Sequence, residues 1–216
     1  MDLASYIDHT ILKPTTLVED VDRICDEAIQ HRFAAVCVPP IFVQIANEKL
    51  KGSNVKVATV IGFPFGYSAI EAKVAETILA IVDGADELDV VINIAALKNN
   101  DWQYLAKELN ALLPVIRKKE KLLKVIIESG ILTDDEIIKC CDLYGIAGVD
   151  FMKTSTGYAE KGASVHAVAL MRAHLADSIQ IKASGGIKTA EFAKQLINAG
   201  ASRLGCSSSV QIIMEK

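Results

Sequence analysis

Along the chain, short β-branched runs alternate with longer stretches whose apolar residues recur at helical spacing. The first run covers residues 7–12 and precedes a helix over about 17–31. A run at 34–38 leads to a helix near 42–51, and one at 55–62 to a helix near 70–83. Residues 87–93 precede a helix over about 102–119. The run at 122–129 leads to a helix that Thr133-Asp134-Asp135-Glu136 opens as a capping box. Runs at 151–155, 179–184 and 203–207 complete the series. Their helices lie near 165–176, near 189–198 (closed by Gly200) and at the C-terminus. Eight strand–helix units with short loops and no linker predict one compact, closed (β/α)8 TIM barrel over 1–216, without an inserted domain. A doubly wound open sheet is the alternative, because the first strand is short.

Composition narrows the function classes. The chain has 216 residues, 51% hydrophobic and 23% charged, with a net charge of −4. Its longest basic run is Arg117-Lys118-Lys119, on a helix, which argues against a nucleic-acid or anionic-membrane partner. The five cysteines are odd in number and show no CxxC or CxxxH spacing, so neither a disulfide framework nor a zinc knuckle is expected. The first residues carry no basic and apolar leader, and no apolar stretch approaches the ~20 residues of a membrane span. A cytoplasmic protein is expected.

Period-two alternation shows which strand residues face the barrel axis. In Glu87-Leu88-Asp89-Val90-Val91-Ile92-Asn93, the set Leu88, Val90 and Ile92 faces the helices, which turns Glu87, Asp89, Val91 and Asn93 inward. The same rule turns Lys124 and Glu128 inward, puts Phe151, Lys153 and Ser155 on one face, and Gln180, Lys182 and Ser184 on another. Three lysines and several carboxylates then share one interior. A single inward Lys or Asp is usually a structural ion-pair member. Here Lys153 and Lys182 lie on adjacent strands, near the C-terminal end where barrel active sites are built. Mutual repulsion and burial both lower a lysine pKa, and a free amine attacks carbonyls. Asp89 can pair with one lysine and carry protons. Schiff-base chemistry is the expectation.

A second signal is an anion site. Gly185-Gly186 follows the seventh strand and Gly205-Cys206-Ser207-Ser208-Ser209 covers the eighth strand's end, where phosphate sites of this fold gather. The expected ligand is a small phosphorylated carbonyl compound or sugar. No Walker or GxGxxG sequence points to a nucleotide. No pair of histidines stands with a carboxylate at metal-ligand spacing, so neither metal nor cofactor is expected. Cys37, at the mouth end of the second strand, reads as a small buried residue beside the site.

Several of these segments resemble the deoxyribose-phosphate aldolase family. They are Gly84-Ala85-Asp86-Glu87-Leu88-Asp89-Val90-Val91, Leu123-Lys124-Val125-Ile126-Ile127-Glu128, Phe151-Met152-Lys153-Thr154-Ser155-Thr156-Gly157 and Lys182-Ala183-Ser184-Gly185-Gly186-Ile187. Ile7-Asp8-His9-Thr10 and Ala58-Thr59-Val60-Ile61-Gly62-Phe63-Pro64 look similar too. The resemblance implies a metal-free class I aldolase, a lyase acting on 2-deoxy-D-ribose 5-phosphate in deoxynucleoside catabolism. It implies Lys153 as the Schiff-base nucleophile, with Lys182 and Asp89 as pKa partner and proton relay. Gly157, Gly185, Gly186, Gly205, Ser207 and Ser208 are implied to hold phosphate, and Asp8 and Thr10 to sit near substrate hydroxyls. Lys124 is implied to belong to the supporting charge network; Cys37 is counted as supporting by its position alone. Tyr158 stands where some members carry a lysine, leaving Lys161 and Lys188 to supply that charge. Relatives suggest a homodimer. A transaldolase-like enzyme, or a barrel that binds a phosphorylated metabolite without chemistry, are the alternative readings.

Overall fold

The computed structural model describes residues 2–215; Met1 and Lys216, the ends of the expected domain, lie outside it. The strands are β1 (Ile7–Thr10), β2 (Ala35–Val38), β3 (Lys56–Ile61), β4 (Glu87–Val91), β5 (Leu122–Ile126), β6 (Phe151–Lys153), β7 (Gln180–Ser184) and β8 (Arg203–Cys206). Between and after them run α1 (Val18–His31), α2 (Val43–Lys49), α3 (Ile70–Val82), α4 (Ile94–Lys98), α5 (Trp102–Arg117), α6 (Asp134–Ile146), α7 (Val165–His174), α8 (Ala190–Asn198) and α9 (Ser209–Met214). All eight strands pair in parallel in sequence order, and β1 pairs with β8 as well as β2. Closure excludes the open sheet and establishes the (β/α)8 barrel.

The outer face of each strand packs under the helices as the alternation predicts. Leu88, Val90, Leu123, Val125, Ile181 and Leu204 are all buried there. The helices answer with apolar stripes, such as Leu105, Leu109, Leu112 and Ile116 on α5. Removing such side chains from water is the main force holding the ring of helices on the barrel. Local signals set the element ends. Thr133 and Glu136 form the expected capping box on α6, and Ser164 and Thr189 cap α7 and α8 through their side chains.

Two boundaries differ from the pattern. The fourth strand ends at Val91, and Asn93 accepts a hydrogen bond from the Ala96 amide at 3.0 Å, opening the short helix α4. An asparagine that alternation alone turns inward serves as a helix cap instead. The sixth strand stops at Lys153, two residues early, although the Thr154 amide still donates to the Lys182 carbonyl at 3.0 Å. Lys153 is thus the last residue before the chain leaves the sheet.

The barrel interior is divided. On one side Ala35, Cys37, Ala58 and Val60, from β2 and β3, form a small apolar cluster under Leu12 and Phe63. The other strands fill the rest with charge.

Candidate active site

Parallel register brings the charged side chains together. Lys153 lies beside Lys182, Lys182 beside Arg203, and Asp89 beside Lys124. Asp8 reaches them from β1 across the closed seam between β1 and β8. Five of these residues, with Glu87, form a closed ring of alternating sign. Arg203 Nη1 donates to Asp8 at 2.6 Å, and Asp8 binds Lys182 through its other oxygen. Lys182 Nζ lies 2.7 Å from Asp89, and Asp89 lies 2.7 Å from Lys124. Lys124 lies 2.6 Å from Glu87, which returns to Arg203 at 3.0 Å. Every member of the ring touches at least two members of opposite charge, and Lys124 also lies 3.7 Å from Asp8 across it.

Lys153 hangs from this ring. Its Nζ donates to Asp89 Oδ2 at 2.7 Å, and Asp89 is its one ion-pair partner among the described residues. Desolvation opposes every buried charge, so the number of opposite neighbours decides each protonation state. Burial pushes the Asp89 carboxyl up, but Lys124, Lys153 and Lys182 outweigh it and hold the group well below the usual range. Asp8 is likewise held down by Lys182, Lys124 and Arg203 against burial. Burial pulls both Lys124 and Lys182 down, yet the carboxylates beside them, Asp89, Glu87 and Asp8 for Lys124 and Asp8 and Asp89 for Lys182, raise them above an ordinary lysine. Lys153 goes the other way. Burial lowers it first, Asp89 opposes, Lys182 lowers it again, and the net direction is down.

Above Lys153 lies a cavity of about 320 Å³ at the C-terminal mouth of the barrel. Its floor carries Lys153 and Thr10, and its walls include Gly157, Gly185, Gly186, Gly205 and Ser207. Gly157, Gly185 and Gly186 all have left-handed backbone, with φ of 88°, 89° and 78°. A Cβ on Gly185 would meet the Cα of Gly162 at 3.0 Å and that of Gly157 at 3.3 Å, so the two loops meet backbone to backbone. Lys13 and Lys188 add positive charge to the rim. Of the two lysines considered in place of Tyr158, Lys188 lines the cavity and Lys161 does not. The Tyr158 hydroxyl donates to the Leu12 carbonyl at 2.8 Å, tying the loop after β6 to the loop after β1.

A lysine facing a cavity and holding its proton less tightly than an ordinary lysine, with an ionised carboxylate behind it and glycine-rich loops opposite, suits attack on the carbonyl of a small anionic substrate. Residues 3–209 match the family described as DeoC/LacD family aldolase. The chain belongs to this aldolase family. It is 51% identical over 215 residues to a deoxyribose-phosphate aldolase from Thermococcus gammatolerans, covering 99% of this chain and 96% of that one. It is 47% identical over 214 residues to one from Bacillus mycoides, covering 99% and 96%. Among solved structures, the tetrameric deoxyribose phosphate aldolase from Aeropyrum pernix superposes with a TM-score of 0.91 at 30% identity, covering 98% of this chain and 89% of that one.

In this aldolase, not every expected residue reaches the cavity. Asp89 and Lys182 lie directly beneath Lys153, fully buried and off the cavity wall, as does Lys124. Asp8, expected beside substrate hydroxyls, is buried in the charge ring, with its oxygens engaged by Lys182 and Arg203. Ser208 precedes α9 and does not line the cavity. Cys37 is fully buried in the apolar half of the interior, and burial pushes its thiol up to about 11. Three residues escaped the sequence reading: Arg203, Lys13 and the bridging hydroxyl of Tyr158. Arg203 was within reach of the alternation rule, since its buried neighbour Leu204 faces the helices. Among the described residues, no cluster of three or more metal-binding side chains is present.

Proposed function

We propose that this chain is a class I aldolase that reversibly cleaves 2-deoxy-D-ribose 5-phosphate to acetaldehyde and D-glyceraldehyde 3-phosphate. One observation carries the reading. Lys153 alone of the three interior lysines reaches the cavity, and it alone is drawn toward the neutral amine.

Neutral Lys153 attacks C1 of the open-chain sugar, and loss of water leaves an iminium. Acetaldehyde carries two carbons, so the bond that breaks is C2–C3, not C3–C4. Its electrons flow into the iminium as the C3 hydroxyl gives its proton, through water, to the Asp89–Lys182 relay, releasing the three-carbon phosphate; the same relay returns a proton to C2 of the enamine. Protonation of C2 and hydrolysis release acetaldehyde and free Lys153. Asp89, ionised at rest, stabilises the positive nitrogen that forms at Lys153. Lys182, protonated and bonded to Asp89, acts with it in passing protons between Lys153 and the cavity. Gly157, Gly185, Gly186, Gly205 and Ser207 supply the phosphate site, helped by Lys188 and Lys13. Thr10 faces the sugar hydroxyls.

The reading extends to setting and assembly. Five free, buried cysteines suit a reducing cytoplasm. No helix among the described residues is long and apolar enough to cross a membrane. Exposed Ile78, Leu79 and Val82 on α3 offer a face for a homodimer.

Borohydride reduction in the presence of acetaldehyde, read by peptide mass spectrometry, tests the chemistry. A reduced adduct on Lys153 is expected. Lys153→Ala should lose both the adduct and turnover, by at least about 10⁴-fold. Substrate binding without any lysine adduct would favour a non-catalytic barrel instead.

A further inference from the structure

The charge ring extends from the catalytic end of the barrel to the opposite end. Lys153 is the last residue of β6, whereas Glu87 and Arg203 are the first residues of β4 and β8. Charged residues at that far floor are ordinarily read as stability features. Here they are joined to the reacting amine by an unbroken chain of contacts, through Asp8 and Lys182 on one side and Lys124 on the other, both meeting at Asp89.

The groups facing Lys153 can be counted element by element. They are Asp8 from β1, Glu87 and Asp89 from β4, Lys124 from β5, Lys182 from β7 and Arg203 from β8. Cys37 on β2 is a protonated thiol, and β3 presents only Ala58 and Val60. Glu128, after β5, also feels the charge of Lys153, but makes no ion pair among the described residues; burial pushes its carboxyl up toward the neutral form, and it accepts from the Thr156 amide and hydroxyl. The ion-paired cluster therefore holds four cations and three carboxylates. The six ring members neutralise one another, and Lys153 is the surplus cation.

We infer that Glu87 and Arg203 are positioning residues for catalysis: by closing the ring at the floor, they fix the surplus charge on Lys153 and set the pH at which its amine becomes free. The inference rests on Lys153 being the Schiff-base nucleophile. Its sign follows from charge alone. Arg203→Gln removes a ring cation, so Lys153 holds its proton more tightly. Glu87→Gln removes a ring anion, so Lys153 releases it more readily. The double variant restores the surplus of one.

The test is the acid limb of kcat/KM, which reports the free enzyme. It is measured alongside the pH dependence of borohydride trapping at Lys153 with acetaldehyde, which needs no turnover. Arg203→Gln should move both curves to higher pH by about one unit, lowering the rate on the acid limb about tenfold. Glu87→Gln should move them to lower pH, and Glu87→Gln/Arg203→Gln should return them toward wild type. Arg203→Lys, which keeps the charge, should stay near wild type. Because the singles act in opposite directions, either one that folds, judged by circular dichroism, tests the sign. Unmoved curves, shifts of the same sign, or a double variant displaced further than both singles would overturn the inference, as would failure of both singles to fold. If wild type formed no Lys153 adduct, the functional reading itself would fall; an adduct with a pH dependence blind to the floor charges removes only this inference.

Discussion

Two buried charge systems in the same molecule resolve desolvation differently. Outside the barrel, Lys73 on α3 and Glu108 on α5 form a single salt bridge at 2.6 Å, both almost fully buried. Lys73 also donates to the Val91 carbonyl, and Glu108 accepts from the Asn93 amide. Even so, burial prevails over pairing. The Lys73 ammonium is pulled down and the Glu108 carboxyl is pushed up, each toward its neutral form. Inside the barrel, burial is as deep, yet Asp8, Asp89, Lys124 and Lys182 are driven toward their ionised forms. The difference is the number of opposite charges in direct contact, one for Lys73 and Glu108 against two or three in the barrel, although Glu76 also acts on Lys73 from further away. Lys153 sits inside the barrel but has one carboxylate, and it behaves like Lys73. Its reactivity follows from being the least compensated member of a well-compensated group.

The largest effect that would break this comparison concerns two lysines side by side in register. Lys182→Met strands Asp8 and Asp89 with too little positive charge, and should destabilise the fold by about 3–5 kcal/mol in urea unfolding. Lys153→Met removes the surplus cation and should leave stability unchanged or raise it by about 1 kcal/mol, while abolishing turnover. Equal losses in the two variants would show that neighbour number does not govern the interior.

A second, smaller effect lies in the pH dependence of stability. Asp8 and Asp89 have folded pKa values below their ordinary 3.8, so their contribution is whole above that value and is lost as pH falls through the folded values. Glu108 is raised, so its contribution has the opposite sign and is relieved by acid. Urea midpoints should therefore fall below about pH 4, and fall slightly more steeply in a Lys73→Met/Glu108→Leu variant. A flat profile between pH 5 and 3 would contradict the ring's ionisation.

The smallest effect sharpens the contrast. Lys73→Met/Glu108→Leu should change stability by no more than about 1 kcal/mol at neutral pH, because a single buried salt bridge is replaceable by packed apolar groups. Its kcat/KM profile should match wild type. A loss of several kcal/mol would mean that the contacts to Val91 and Asn93, rather than the pair itself, hold α3 and α5 to β4.

Much of the site was legible in the strands because period two is rigid. Once Leu88 and Val90 face the helices, Glu87 and Asp89 have nowhere to go but inward, and Lys124, Lys153 and Lys182 follow by the same rule. What alternation cannot give is height and partner. The position of Asp8 depends on which β8 residue it meets across the seam, and the register Asp8 to Gly205 places it in the ring rather than among substrate contacts. The Lys73–Glu108 pair was invisible for a different reason. A lysine and a glutamate on amphipathic helices read as solvated, and only the packing of α3 against α5 buries them. Short elements were hardest. Helix α4 spans Ile94–Lys98 and is declared by one asparagine cap, too little periodicity to read from the chain.

The contact between the loops after β6 and β7 bears on how this catalyst can be diversified. Gly162 needs no left-handed backbone of its own; a Cβ there would lie 2.3 Å from the Gly185 carbonyl oxygen. Its glycine is thus demanded by the neighbouring loop. Residues 157–162 and 185–186 make up one heritable unit, in which a side chain added on either loop must be accommodated by reshaping the other. Randomising one loop alone would yield mostly misformed mouths. A library that varies both together, or leaves both fixed and varies the residues around Lys13 and Ser207, samples mouths that still close.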